Sequence, residues 1–212
     1  MRGGVEDSDG TKIGTVNGDL GVLESKEILR KVLNEKRLRL GDDEVSSLSG
    51  LIAQNLFSLD SFLRADKIAL YSPINNEVGT LLIFLRAREC GKEVYYPRTQ
   101  GTGLEFARVR DVTELIPGKY GVFVPPPNSE VLELDGLDLI VVPGVGFDRK
   151  GRRLGYGKGY YDRSISPVER GRRVGLAYGF QVVDFVPSGA GDEPVGMVVT
   201  ERGVIFCEGG RG

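Results

Sequence analysis

The sequence predicts a single domain of stacked α and β layers. Segments with helical periodicity interleave with short apolar runs, and one such run, Leu137 to Val142, has the composition of a central parallel strand. A chain of 212 residues can bury a sizeable core without metal or disulfide staples.

Residues 1–23 carry Glu6, Asp7, Asp9 and Asp19 among glycines and have no apolar signal core. They read as a disordered tail or a sequence remnant, which leaves residues 24–208 as the α/β domain. Ser25 is placed to cap a first helix with Ile28, Leu29, Val32 and Leu33 on its apolar face. Its polar face is basic: Lys26, Arg30, Lys31, Lys36, Arg37 and Arg39. A second helix starts after Asp42 or Asp43 and lines up Val45, Leu48, Ile52 and Leu56. Lys67 to Tyr71 follows as a short strand. Glu77 to Glu89 reads as a helix closed by Gly91.

Glu93 to Tyr96 is a strand that Pro97 should stop, and Leu104 to Val109 alternates like an exposed or edge strand. Residues 110–136 are mostly loop, since Pro125-Pro126-Pro127 fits neither helix nor central strand. Val174 to Tyr178 and Met197 to Thr200 supply further strands.

Composition removes several function classes. The chain has no histidine, so every Ser-His-Asp, Cys-His and His-bearing zinc site is excluded. Cys90 and Cys207 are too few for a zinc cluster and lack an activating partner. A net charge of −2 argues against a dedicated DNA binder. No stretch approaches the ~20 apolar residues that span a bilayer, and the expected compartment is the cytoplasm.

The most informative stretch is Pro143 to Arg163, which follows the central strand, where ligands of open α/β sheets bind. Residues 149–173 hold nine Lys and Arg side chains against Asp162 and Glu169. So local a positive patch suits a small polyanion. Gly155, Gly157 and Gly159 alternate with Tyr156, Lys158 and Tyr160, so backbone N–H groups can turn toward phosphate oxygens while Lys158 adds a point charge. A Walker A loop is ruled out, because Lys158 is followed by Gly159 and the earlier glycine would fall on Arg152. The dinucleotide fingerprint fails as well, because G-x-G-x-G is not G-x-G-x-x-G. A flexible glycine turn is the competing interpretation. The charge concentration favours phosphate binding, with the nucleotide unresolved.

At this segment the sequence resembles the 5-formyltetrahydrofolate cyclo-ligase (5,10-methenyltetrahydrofolate synthetase) family. The family's P-G-x-x-F-D and R-L-G-x-G-x-G-Y-Y-D are Pro143, Gly144, Phe147 and Asp148, then Arg153 through Asp162. Weaker matches are Lys26 with Arg30; Tyr71, Glu77 and Thr80; Gly-Lys-x-Val with Pro97 after it; and Gln181 with Pro187. The resemblance spans residues 25–206. It implies a three-layer α/β/α fold around a mostly parallel sheet, and ATP- and Mg²⁺-dependent closure of 5-formyltetrahydrofolate to the 5,10-methenyl form with release of ADP and phosphate. Phosphoryl transfer depends on positioning and charge neutralisation, which needs no histidine.

The resemblance also implies residue roles. Lys26, Arg30, Arg153, Gly155, Gly157, Lys158, Gly159, Tyr160 and Tyr161 bind ATP, with Lys158 and Arg153 as the catalytic cations. Glu77, Tyr156, Lys158 and Tyr160 face the folate. Asp162 and Asp192 hold Mg²⁺. The bland alternatives are a solvated basic face for Lys26 and Arg30, and a helix first turn for Glu77. Around Asp192 the family reads His-Asp with another Asp four residues on, and it is often acidic where this chain has Gly79. Here stand Gly191 and Gly196. A diverged relative that binds nucleotide or folate without turnover, or acts on another substrate, is the alternative function. The expected partner is a small folate, with no nucleic acid and no membrane, in a monomer or weak homodimer.

Overall fold

The computed structural model describes residues 19–208 apart from Ala190. Most of the expected tail, residues 1–18, lies outside the described residues.

The helices are α1 (Asp19–Leu38), α2 (Asp42–Phe57), α3 (Asp60–Arg64), α4 (Leu81–Glu89) and α5 (Tyr160–Ser164). The strands up to the middle of the sheet are β1 (Lys67–Ala69), β2 (Glu93–Gln100), β3 (Gly103–Val109), β4 (Ile116–Pro117), β5 (Phe123–Val124), β6 (Val131–Leu132) and β7 (Leu139–Val142). After them come β8 (Gly146–Asp148), β9 (Arg153–Leu154), β10 (Arg173–Leu176), β11 (Val182–Val183), β12 (Met197–Thr200) and β13 (Gly203–Phe206).

Eight strands form one sheet in the order β13-β12-β10-β7-β1-β2-β3-β6. The five from β12 to β2 are parallel, and antiparallel β13 on one side and β3 with β6 on the other extend the sheet. Leu139–Val142 is the middle of the parallel set, as its apolar composition predicts, and all four residues are buried. Numbered along the chain, the parallel strands lie in the order 2-1-3-4-5. The order reverses between β1 and β7, and a crevice opens at such a switch point beyond the strands' carboxyl ends.

One sheet face (Ile68, Leu139, Val141, Val174, Val199) packs against Ile52 and Leu56 of α2, Phe62 of α3, and Ile83 and Phe84 of α4. The opposite face (Ala69, Tyr95, Ile140, Val142, Val198) meets Phe147, Ile165 and Val168. There the covering layer is short α5 and a small sheet ordered β11-β8-β9. Phe147 of the P-G-x-x-F-D match is fully buried, and a Cβ on Gly144 or Gly175 would lie 2.4 or 2.5 Å from its ring. Asp148 is buried too. Its Oδ1 accepts the backbone N–H groups of Lys150 (2.9 Å) and Arg152 (3.1 Å), and its Oδ2 accepts Arg152 Nε (2.6 Å) and the Val186 N–H (2.9 Å). That carboxylate ties the β8–β9 turn to the irregular segment after β11.

Several sequence expectations need correcting. Helix α1 starts at Asp19, so residues 19–23 are helical, and the Ser25 hydroxyl donates to Gly21 O (2.6 Å) inside the helix instead of capping it. On α1, Leu33 is buried beside Val145 and Leu154, whereas Ile28 and Val32 are exposed. The helix rests on the small sheet and needs only a narrow apolar stripe. Helix α4 starts at Leu81, not Glu77. Its predicted end holds: Gly91 has φ +76°, with Lys92 N–H bonding Ala87 O and Gly91 N–H bonding Arg88 O. Strand β2 runs through Pro97 to Gln100. Beyond Tyr95 it pairs with β3 alone, the edge-like setting that admits proline.

Candidate functional site

A cavity of about 600 Å³ opens at the carboxyl ends of the parallel strands. The chain beyond β1 contributes Tyr71, Ser72 and Glu77; the chain beyond β7 contributes Pro143 and the glycine segment. Lys26 and Arg30 of α1 form another side. Pro97 and Arg98 of β2, with Lys119 and Tyr120 between β4 and β5, complete the lining.

The glycine segment leaves β9 at Leu154 and enters α5 at Tyr160. Gly157 (φ +91°) and Gly159 (φ +67°) hold left-handed conformations that a side chain would strain. Arg30 Nε donates to Gly155 O (2.9 Å), so α1 is clamped to the start of this loop. Lys26 Nζ pairs with Asp192 Oδ2 at 2.6 Å. Four residues apart, the two cations share the helix face turned to the cavity. The solvated-face alternative for them does not hold. Lys158 is exposed at the loop's tip, and Arg153 is buried, donating through Nη2 to Asp162 Oδ1 (2.6 Å) and through Nη1 to Pro143 O (3.2 Å).

Glu77 lies in the loop before α4, 5% exposed, so the helix-first-turn alternative also falls. Its Oε2 accepts the Ile74 N–H (3.0 Å) and its Oε1 accepts the Tyr156 hydroxyl (3.0 Å). Burial holds its carboxyl above the ordinary glutamate range, opposed by the Ile74 N–H, the Arg37 charge and the Tyr156 hydroxyl. Burial, aided by the Glu77 charge, pushes Tyr156 up to about 12. Burial and then Glu77 also push Tyr71 and Tyr161 up, so these phenols are donors at neutral pH. Buried Cys207 is pushed up to about 11 by desolvation and is a poor nucleophile.

Asp162 and Asp192 are the cavity's candidate metal ligands. Among the described residues no group of three or more His, Cys, Asp or Glu side chains could hold an ion unaided. Two carboxylates do suit Mg²⁺, which takes its remaining ligands from phosphate and water. Each uses one oxygen for a cation, Arg153 or Lys26, and among the described hydrogen bonds the other oxygen of each is free.

The residues given a site role in the sequence all line this cavity: Lys26, Arg30, Glu77, Arg153, Gly155, Tyr156, Gly157, Lys158, Gly159, Tyr160, Tyr161, Asp162 and Asp192. The sequence reasoning missed Arg98, Lys119 and Tyr120, which sit in segments without a motif. It also gave Arg37 no role beyond the basic polar face of the first helix. Arg37 is 1% exposed and binds Tyr156, and its position eleven residues after Lys26 on the same helix face was the available signal. Gly196 is outside the lining, and a Cβ there would lie 2.5 Å from Arg170 O, so no acidic side chain fits. Gly191 has open space around it.

Comparison with known proteins gives a consistent picture. The sequence profile of the 5-formyltetrahydrofolate cyclo-ligase family matches residues 22–201. A 5-formyltetrahydrofolate cyclo-ligase of Mycoplasma pneumoniae is 31% identical over 76% of this chain and 90% of its own. One from Mus musculus is 28% identical over 84% of this chain and 94% of its own. The NMR structure of an Aquifex aeolicus 5,10-methenyltetrahydrofolate synthetase superposes with a TM-score of 0.78 at 40% identity, covering 88% of this chain and 95% of that one.

Proposed function

The chain belongs to the 5-formyltetrahydrofolate cyclo-ligase family, and from that premise we propose that it cyclises 5-formyltetrahydrofolate to 5,10-methenyltetrahydrofolate at the expense of ATP. One observation carries the assignment. A single cavity joins a cationic, glycine-rich wall (Lys26, Arg30, Arg153, Lys158) to a wall bearing a buried carboxylate and tyrosines (Glu77, Tyr71, Tyr156). The first wall suits a triphosphate, and the second suits a flat heterocycle with an N–H edge.

The chemistry requires both. A formamide oxygen leaves poorly. The γ-phosphoryl group moves to that oxygen and ADP departs. N10 attacks the same carbon, loses its proton, and phosphate leaves with the former formyl oxygen. Lys158 and Arg153 neutralise charge on the transferring group, while Lys26, Arg30 and the loop N–H groups hold the triphosphate. Tyr160 and Tyr161 flank the loop on α5. Glu77 accepts pterin N–H groups and fixes which end of the folate enters first. Asp162 and Asp192 would hold Mg²⁺, which would supply charge neutralisation to the phosphates.

Turnover is tested by following the methenyl chromophore with purified protein, Mg-ATP and 5-formyltetrahydrofolate. Absence of chromophore from folded protein removes this function and leaves the alternative, a relative that binds without turnover.

Among the described residues no helix is long and apolar enough to cross a membrane.

A further inference from the structure

We propose that Arg37 is a positioning residue. It locks the Glu77 carboxylate and the Tyr156 hydroxyl into one arrangement on the cavity wall and thereby sets the cavity's selectivity for an N–H-edged heterocycle. The inference rests on the folate reading of that wall.

The geometry is specific. Arg37 Nη2 donates to the Tyr156 hydroxyl at 2.5 Å, and that hydroxyl donates onward to Glu77 Oε1 at 3.0 Å. Arg37 Nη1 lies 3.9 Å from the same Glu77 oxygen and, among the described residues, has no hydrogen-bond acceptor. Arg37 Nε donates to Asn75 O (2.8 Å), and Asn76 Nδ2 donates to Arg37 O (3.3 Å) and Leu40 O (3.0 Å). Asn75 (φ 49°) and Asn76 (φ 57°) are both left-handed. Two strained residues in succession persist only where surroundings over-determine them, and here the surroundings are one guanidinium and the end of α1. The guanidinium therefore bolts two cavity segments, the Glu77 loop and the glycine loop, to a third element.

A buried arginine is an expensive choice for a purely structural clasp. Its planar fork holds several acceptors at once: Nη2 donates to the Tyr156 hydroxyl and to Asn34 Oδ1 (3.2 Å), and Nε donates to Asn75 O, while the charge stands against Glu77. The groups facing Glu77 are Arg37 from α1, Tyr156 from the glycine loop, Tyr71 beyond β1, Tyr161 from α5 and Tyr178 beyond β10. Arg37 is the cation among them. Its removal would make the carboxylate harder to ionise and free to swing.

The test uses Arg37→Gln and Arg37→Lys in the full chain, with melting curves as the folding control. Calorimetry measures 5-formyltetrahydrofolate and ATP separately, and carbon-13 NMR follows the Glu77 carboxyl, assigned with Glu77→Gln. In Arg37→Gln the Glu77 midpoint should rise by about one pH unit or more. Folate affinity should fall at least about tenfold while ATP affinity stays within about twofold. Arg37→Lys keeps the charge but not the fork. It should leave the midpoint near wild type and still weaken folate about threefold or more. An unmoved midpoint with unchanged folate affinity in Arg37→Gln overturns the proposal. If that variant does not fold, unchanged folate affinity in Arg37→Lys overturns it. Wild type that binds no folate rejects the substrate assignment instead, and the Glu77 midpoint still decides whether Arg37 governs the carboxylate.

Discussion

Lys26 Nζ and Asp192 Oδ2, 166 residues apart in sequence, meet at 2.6 Å and join the first helix to the segment entering β12. The pair is partly exposed, so removing it should cost less than about 1 kcal/mol of stability. Its effect should fall on ligands. Lys26→Met is expected to raise the KM for ATP about tenfold with a melting temperature close to wild type, read by steady-state kinetics and circular dichroism. Asp192→Asn should instead raise the Mg²⁺ concentration needed for half-maximal rate.

Lys158 is exposed at the tip of the glycine loop. Lys158→Ala should fold as wild type and lose about tenfold or more in ATP affinity, the loss expected for one charge-assisted contact to phosphate. Calorimetric titration of ATP checks it, and unchanged affinity rejects the phosphate role.

Gly159 starts α5 at φ +67°, where a Cβ would lie 2.6 Å from Arg163 Nη1. Gly159→Ala should cost about 1–2 kcal/mol of stability through left-handed strain. It should also weaken ATP, because the loop must re-form around the new side chain. Urea unfolding and ATP titration separate the two effects.

Glu77 makes opposite demands on stability and binding. Burial raises its folded-state pKa, so its contribution to stability is fully present below the ordinary glutamate value and is lost as pH rises through the raised folded value. Glu77→Gln mimics the protonated form. It should melt at or above the wild-type temperature at pH 7 while raising the KM for folate at least about tenfold. In wild type, folate binding should fall as pH drops through the raised pKa, and this acid limb should be absent in the variant. A pH series of folate affinity for both proteins provides the check.

Phe147 should report on the fold alone. It is buried between Gly144 and Gly175. Phe147→Ala should cost about 3–5 kcal/mol, measured by denaturant unfolding.

The parallel core was legible because Leu139–Val142 and Met197–Thr200 are short apolar runs whose periodicity needs no tertiary context. The cationic loop was legible because its glycines and charges are contiguous. Glu77 was misplaced into a helix because an acidic residue ahead of an apolar segment looks like a first turn. The local turn with Ile74 and the tertiary contacts with Arg37 and Tyr156 hold it outside one. Arg37 drew no role of its own because a guanidinium on a basic helix face carries no local mark of burial. The small sheet was invisible because β8, β9 and β11 are two or three residues long, and β11 joins β8 from a distant part of the chain.

Asp148 has no access to the cavity and spends both oxygens on four donors of its own chain. Within the P-G-x-x-F-D half of the composite signature, Phe147 and Asp148 are thus framework, whereas Pro143 lines the cavity together with the stretch from Arg153 to Asp162 and its carbonyl accepts Arg153 Nη1. A relative could keep Phe147 and Asp148 intact, fold identically and have abandoned the reaction altogether. Scans for working members of this lineage should not count those two positions as evidence of activity.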